Sequence, residues 1–229
     1  MRARVMIAAA AAAATVAGWT IFGPGEHSAV RADPAPVVSA NVNGLLNQLV
    51  VVDELPQVPG YERACGIDKK TQTRQGCVFG AAWNDPQDHS GCDTRNRLLH
   101  NSLQGIGYKP GTRDCKVIAG RLDPDPYTGQ VLDLKQVAID HIVPLKVAWN
   151  SGAAQWDLQQ RRIFANDMTE LIAVSSAANS SKGDSTPSKW LPAIGKCPYV
   201  IRYLTVAVKY RLPVTVKDRD AAVRACHTN

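Results

Sequence analysis

Two short stretches hold residue types that could do chemistry together: DHIVPL at 140–145 and NSSKGD at 179–184. Asp140 and His141 are adjacent, between the apolar Val137, Ala138 and Ile139 and the apolar Ile142 and Val143, and Pro144 then stops strand pairing. An acid and an imidazole at the end of a buried strand have a joint task open to them. The carboxylate can hold a hard cation, and the imidazole can take a proton from water near neutral pH. Alone, such a pair more commonly caps a turn and fills a core. The second stretch alters that balance. Asn179 adds an amide oxygen, so a cation between the two stretches would meet one carboxylate and one amide carbonyl. That hard-oxygen set suits Mg2+, Mn2+ or Ca2+ better than Zn2+. Two protein ligands leave positions for water and a substrate phosphate. His141 would then stand beside the ion, free to deprotonate the attacking water. Lys182, one helical turn after Asn179, faces either a phosphate or solvent.

The elements that must position these residues follow from patterning. Val131 to Val143 has β character, and Leu171 to Val174 is a second apolar run of strand length. Between them, Leu145 to Asn150 reads as a helical turn or two closed by Gly152, and Trp156 to Ala165 as a helix. Ser175 is a good N-cap for a helix carrying Asn179 and Lys182. Two strands and a helix thus converge on one point. Upstream, Asn43 to Asp53 has leucines at helical spacing. Thr94 to Gln104 reads as a helix ended by Gly105 and Gly107, and Val117 to Ala119 as a short strand. Residues 61–92 are irregular, with Phe79 and Trp83 expected to pin them to the core. DPDPYTG (123–129) is a dense turn signal, and Pro187 and Pro192 bracket Trp190 in an extended stretch. Val200, Tyr203, Leu204, Ala207 and Val208 repeat at helical spacing, and Thr215 with Asp218 resembles a capping box for a last helix.

Composition sets the compartment. Arg2 and Arg4 precede an Ala-rich apolar run from Val5 to Phe22, and Val30-Arg31-Ala32 offers a cleavage site before Asp33. Residues 1–32 therefore read as a secretory signal peptide, with an uncleaved anchor as the minor alternative. Its removal takes away three Arg and one Glu and lowers the formal charge from +6 to +4. That charge permits a polyanionic partner without demanding one. Residues 33–60 are expected to be a Pro/Ala-rich leader and the short helix, and the remainder one compact domain. Cys65, Cys77, Cys92, Cys115, Cys197 and Cys226 are an even set in an exported chain, which suggests three disulfides. Loop closure favours Cys65–Cys77, Cys92–Cys115 and Cys197–Cys226 among 15 pairings. No C-x-x-C pair points to a thiolate zinc site.

Taken together, DHIVPL (140–145), FAND (164–167), LIAV (171–174) and NSSKGDSTPSKWLP (179–192) resemble the HNH, or ββα-metal, endonuclease family. The resemblance is specifically to the GmrSD-type C-terminal branch found in exported bacterial proteins, and CDTR (92–95) and DPYTG (125–129) are similar to it as well. It implies an α+β fold, with a ββα-metal core carrying a helical insertion between its strands, surrounded by further helices and disulfide-bonded loops. The nuclease domain would span 61–229 with its catalytic core at 137–192. The resemblance further implies Asp140 and Asn179 as metal ligands, His141 as general base and Lys182 as a phosphate-facing residue. Asn166 is the candidate for the middle, bracing position of the motif, although Glu170 occupies the place where many members carry that asparagine. The implied activity is secreted, Mg2+-dependent (or Mn2+-dependent) hydrolysis of DNA, with RNA as a second substrate, leaving a 3′-hydroxyl and a 5′-phosphate. No small-molecule cofactor or lasting membrane association is expected, and the chain is expected to be a monomer.

Other residues are weaker candidates. Arg95 is expected to pair with an acid beside Cys92, Tyr127 to be structural or to line the cleft, and Arg161 and Arg162 to track a backbone or simply be solvated. Trp149, Trp156 and Trp190 are expected in the core, and His89, His100 and His227 have no partner pattern. Two rival readings remain. One is a degenerate fold of the same family that binds nucleic acid or a partner without cutting. The other is a hydrolase with an unseen nucleophile, disfavoured because no G-x-S-x-G elbow and no unbridged cysteine are evident.

Overall fold

A computed structural model describes residues 42–227. The expected signal peptide (1–32) and most of the expected leader lie outside the described residues. In chain order the elements are α1 (Val42–Leu46), β1 (Val51–Val52), α2 (Thr94–Ser102), β2 (Gln104–Tyr108), β3 (Val117–Leu122), β4 (Leu132–Asp133), β5 (Val137–His141), α3 (Leu145–Asn150), α4 (Leu158–Asn166), β6 (Leu171–Ser175), α5 (Ser176–Lys182), α6 (Lys196–Tyr210), β7 (Val214–Thr215) and α7 (Val216–His227). The fold is mixed α+β, and the described residues form three small sheets: parallel β1–β7, antiparallel β2–β3–β4 and the antiparallel hairpin β5–β6.

The hairpin is the centre. Its register pairs Val137 with Ser175, Asp140 with Ile172 and His141 with Leu171. Alternation along a strand sends Val137, Ile139 and His141 to one face and Asp140 to the other. Val137, Ile139, Leu171 and Ala173 pack with Leu98, Leu99 and Val117 in a smaller core. Val174 and the loop residues Ile142 and Val143 join a larger core built on α3, α6 and α7. The hairpin is therefore buried on both sides, which explains why its strands read as near-continuous apolar runs. Helix α5 packs against both strands, so strand, strand and helix form one unit, with α3 and α4 inserted between the strands.

The disulfides are Cys65–Cys77, Cys92–Cys115 and Cys197–Cys226, the pairing that sequence proximity favours. The last ties α6 to α7. Half of the expected capping box forms: the Asp218 N–H donates to the Thr215 hydroxyl (3.1 Å), which itself donates to the Asp218 carboxylate (2.6 Å).

Several elements differ from the sequence expectation. The helix expected from Asn43 to Asp53 ends at Leu46, because Val51 and Val52 are claimed by pairing with Val214 and Thr215 and Val50 is left 68% exposed. Gly105 and Gly107 do not cap a helix. They lie inside β2, where Gly107 lets the strand approach β3 so closely that a Cβ would sit 3.1 Å from that of Ala119. The run 131–143 is interrupted by a 3-10 turn at Leu134–Gln136. The segment around Trp190 is a turn rather than extended chain, closed by Lys189 and Trp190 N–H bonds to the Thr186 carbonyl (2.9 and 3.1 Å).

Candidate active site at the end of the hairpin

Asp140 is 4% exposed, yet both its carboxylate oxygens are engaged. The Lys182 ammonium donates to Oδ1 (2.9 Å) and the Tyr127 hydroxyl donates to Oδ2 (2.6 Å). Burial pushes the Asp140 carboxyl above the usual carboxylate range, and the Lys182 charge and the Tyr127 hydrogen bond draw it back. Tyr127 is held well above the ordinary phenol range by burial and by the adjacent Asp140 charge, so it remains a donor. Lys182 also donates to the His141 carbonyl (2.7 Å) and is 1% exposed. It is neither a solvated surface lysine nor a side chain facing outward to a phosphate. Position explains this: Lys182 ends a seven-residue helix packed against β5, and its head reaches the Asp140 carboxylate.

His141 is 8% exposed. Its Nε2 lies 3.0 Å from the Ala165 carbonyl, an acceptor, so Nε2 carries the proton and donates it. The neutral ring then leaves Nδ1 as an acceptor. Burial lowers the His141 pKa to about 3, with Arg63 adding to the effect and the Ala165 hydrogen bond opposing it. The indole of Trp83 stacks on the imidazole, 6.0 Å between centroids and 11° between planes.

The loop leaving β5 is held by Glu170. Its carbonyl accepts the Ile142 N–H (2.9 Å) and its carboxyl accepts the Val143 N–H (3.1 Å to Oε1). Glu170 is fully buried. Burial pushes its carboxyl well up, and the Val143 hydrogen bond and Lys182 draw it back. Asn166, expected to brace the base, hydrogen-bonds elsewhere. Its Oδ1 accepts the Thr94 hydroxyl (2.7 Å) and its Nδ2 donates to the Arg162 carbonyl (2.8 Å). It ties α4 to the start of α2. The bracing contacts come instead from the Ala165 carbonyl and from Glu170.

Asp140, His141, Asn179 and Asp184 line one polar cavity of about 180 Å3 together with Arg63. Asp140 and Asn179 are thus brought together as expected from the sequence. Asp140 uses two of its roughly four acceptor directions and keeps the others. The donor set is oxygen only, which fits a hydrated hard cation with few protein ligands. Among the described residues, no group of three or more His, Cys, Asp or Glu converges as a metal cage.

The remaining candidates are structural. Arg161 donates to the Val78 and Trp156 carbonyls (2.6 and 2.5 Å) and lies 5.4 Å over Trp149. Arg162 donates to Asn84 (2.8 Å). Among the described residues Arg95 forms no ion pair; Arg97 meets Asp85 and Asp88 instead, at 2.8 and 3.3 Å. Trp149 is buried, Trp156 and Trp190 are partly so, and His100 is hydrogen-bonded with the Tyr108 hydroxyl. Asp125, in the DPYTG turn, accepts the Ser175 N–H (3.0 Å) and so fixes Tyr127 relative to the start of α5.

A family model described as "GmrSD restriction endonucleases, C-terminal domain" matches residues 93–224. The chain belongs to this family. The match takes in Tyr127, Asp140, His141, Glu170, Asn179 and Lys182, and leaves Arg63 and Trp83 outside it. An "Uncharacterized secreted protein" of the fungus Arthroderma benhamiae is 40% identical over 142 residues, covering 60% of this chain and 68% of that protein. No solved structure matches the chain.

Proposed function

We propose that this GmrSD-family chain is an exported HNH endonuclease that hydrolyses phosphodiester bonds of DNA, with the β5–β6–α5 unit as its ββα-metal core. The observation that carries the reading is His141. Its Nε2 proton is committed to Ala165, leaving Nδ1 to accept, beside a cavity shared with Asp140 and Asn179. In this reading the nuclease domain spans 61–229 and works as a monomer. Export is supported by the name of the fungal relative and by the basic, Ala-rich N-terminal sequence. No helix among the described residues is long and apolar enough to cross a membrane.

Asp140 and Asn179 would hold a Mg2+ or Mn2+ ion, which when bound supplies positive charge against the extra negative charge of a phosphoryl transition state. The chain's own residues do the rest. His141 takes the proton of the attacking water at Nδ1. Burial keeps its ring neutral, and an arriving phosphate anion favours the protonated ring, so its basicity rises when substrate is bound. Tyr127 and Lys182 fix the Asp140 carboxylate. Glu170 and Ala165 fix the loop and ring of His141, acting as positioning residues.

Product ends test this reading. DNA cut by the chain should carry 5′-phosphate and 3′-hydroxyl termini that a ligase rejoins without repair. Fragments ending in 3′-phosphate would contradict the assigned chemistry. A second reading, a family member that binds nucleic acid without cutting, is favoured by the prior engagement of both Asp140 oxygens. It predicts DNA binding with no turnover under any metal.

A further inference from the structure

A second cavity of about 400 Å3 is also lined by His141. Its size falls in the range of small-molecule pockets. Phe79, Trp83, Leu145 and Ala165 supply apolar wall, and Arg63, His141 and Leu145 line both this cavity and the polar one holding Asp140. The two cavities therefore share a wall at the imidazole. We propose that this apolar cavity is a subsite for an unpaired nucleobase next to the scissile phosphate, with Arg63 at its mouth contacting the strand's backbone. The proposal rests on the endonuclease reading.

Three observations support it. A nucleic acid whose phosphate lies at His141 must place its neighbouring nucleoside within a few ångströms, and the apolar cavity is there. Arg63 is exposed and forms no ion pair among the described residues, so its charge is available to a phosphate. Trp83 is held at φ +62, a backbone region that bulky residues rarely occupy. The surroundings over-determine that conformation. The Thr94 N–H donates to the Trp83 carbonyl (3.1 Å), and the Thr94 hydroxyl is itself held by Asn166 (2.7 Å). The half-buried indole is stacked on His141 and also lines the cavity, so the surface it leaves to the cavity is held in place for a base to pack against. A base inside a duplex cannot enter such a cavity without leaving the stack, so the subsite selects single-stranded or locally unpaired substrate.

The test is binding of a fluorescein-labelled single-stranded oligonucleotide to the full, disulfide-bonded chain, read by anisotropy in EDTA so that the strand stays intact. Wild type should bind the single strand more tightly than the same sequence as a duplex. Trp83→Ala should weaken single-strand binding by about five- to a hundredfold while changing duplex binding far less, and Trp83→Phe should retain most of it. Abasic sites in the strand should weaken wild-type binding by a similar factor and cost the Trp83→Ala chain little more. Equal wild-type affinity for intact and abasic strands overturns the subsite, whatever the variants do. Parallel loss of single-strand and duplex binding in Trp83→Ala also overturns it. A wild-type chain that neither binds nucleic acid here nor cuts it with Mg2+ or Mn2+ sinks the endonuclease reading itself. One that cuts DNA but ignores its bases sinks only the subsite.

Discussion

Lys182 and Asp140 form a buried ion pair whose side chains are 0% and 5% exposed. Removing one partner of such a pair leaves an uncompensated charge in a low-dielectric site, at a cost of about 3–5 kcal/mol. Lys182→Met should therefore lose stability of that order in urea unfolding at neutral pH. The sign with pH follows from Asp140. Burial already raises its folded pKa, and loss of Lys182 raises it further. A carboxyl whose folded pKa lies above its unfolded value favours the fold at low pH and loses that contribution as pH rises. The deficit of Lys182→Met should be greatest at neutral pH and shrink on acidification; a deficit independent of pH would contradict the pairing. At this scale the sequence showed which residues belong together but not how. Asp140, His141 and Asn179 were legible because their types and order carry a known motif. The burial of Lys182, the Tyr127 bond and the Trp83 stack were not, since each depends on a side chain brought in from a distant segment.

The hairpin explains why two adjacent residues serve different surroundings. Asp140 faces Tyr127 and Lys182, while His141 faces Trp83 and the Ala165 carbonyl. The loop after β5 is held to β6 mainly through Glu170. Glu170→Ala leaves the buried Val143 N–H without its acceptor and should cost about 1–3 kcal/mol, with a fall in kcat from a displaced His141. Glu170→Gln keeps an acceptor oxygen and should recover most of both losses. If both variants cut DNA at the wild-type rate, the loop does not need this anchor. Strands and helices of the hairpin unit were legible because their apolar runs are bounded by Pro144, Gly152 and Ser175. Local pattern misleads where tertiary pairing overrides it, as where β7 draws Val51 and Val52 out of a helical repeat. Glu170, at the motif's bracing place, does hold the loop through its side chain, while Asn166 hydrogen-bonds elsewhere. A backbone carbonyl, here that of Ala165, has no sequence signature.

At the level of the whole molecule, a two-sided hairpin is set between two apolar cores, and three disulfides fasten the segments around it. The residues flanking the Cys65–Cys77 loop bring Arg63 and Trp83 to the site from outside the family match. The domain's disulfide pairing was legible from loop closure, whereas the two-core arrangement was not, because apolar runs do not say which face meets which partner. The most direct test of the account is cleavage of supercoiled plasmid by the oxidised chain with Mg2+, with Mn2+ and with EDTA, beside His141→Ala. The account predicts nicking with metal, none in EDTA, and a loss of roughly a hundredfold or more in the variant. Undiminished cutting by His141→Ala, or no cutting by the folded wild type under either metal, would contradict it.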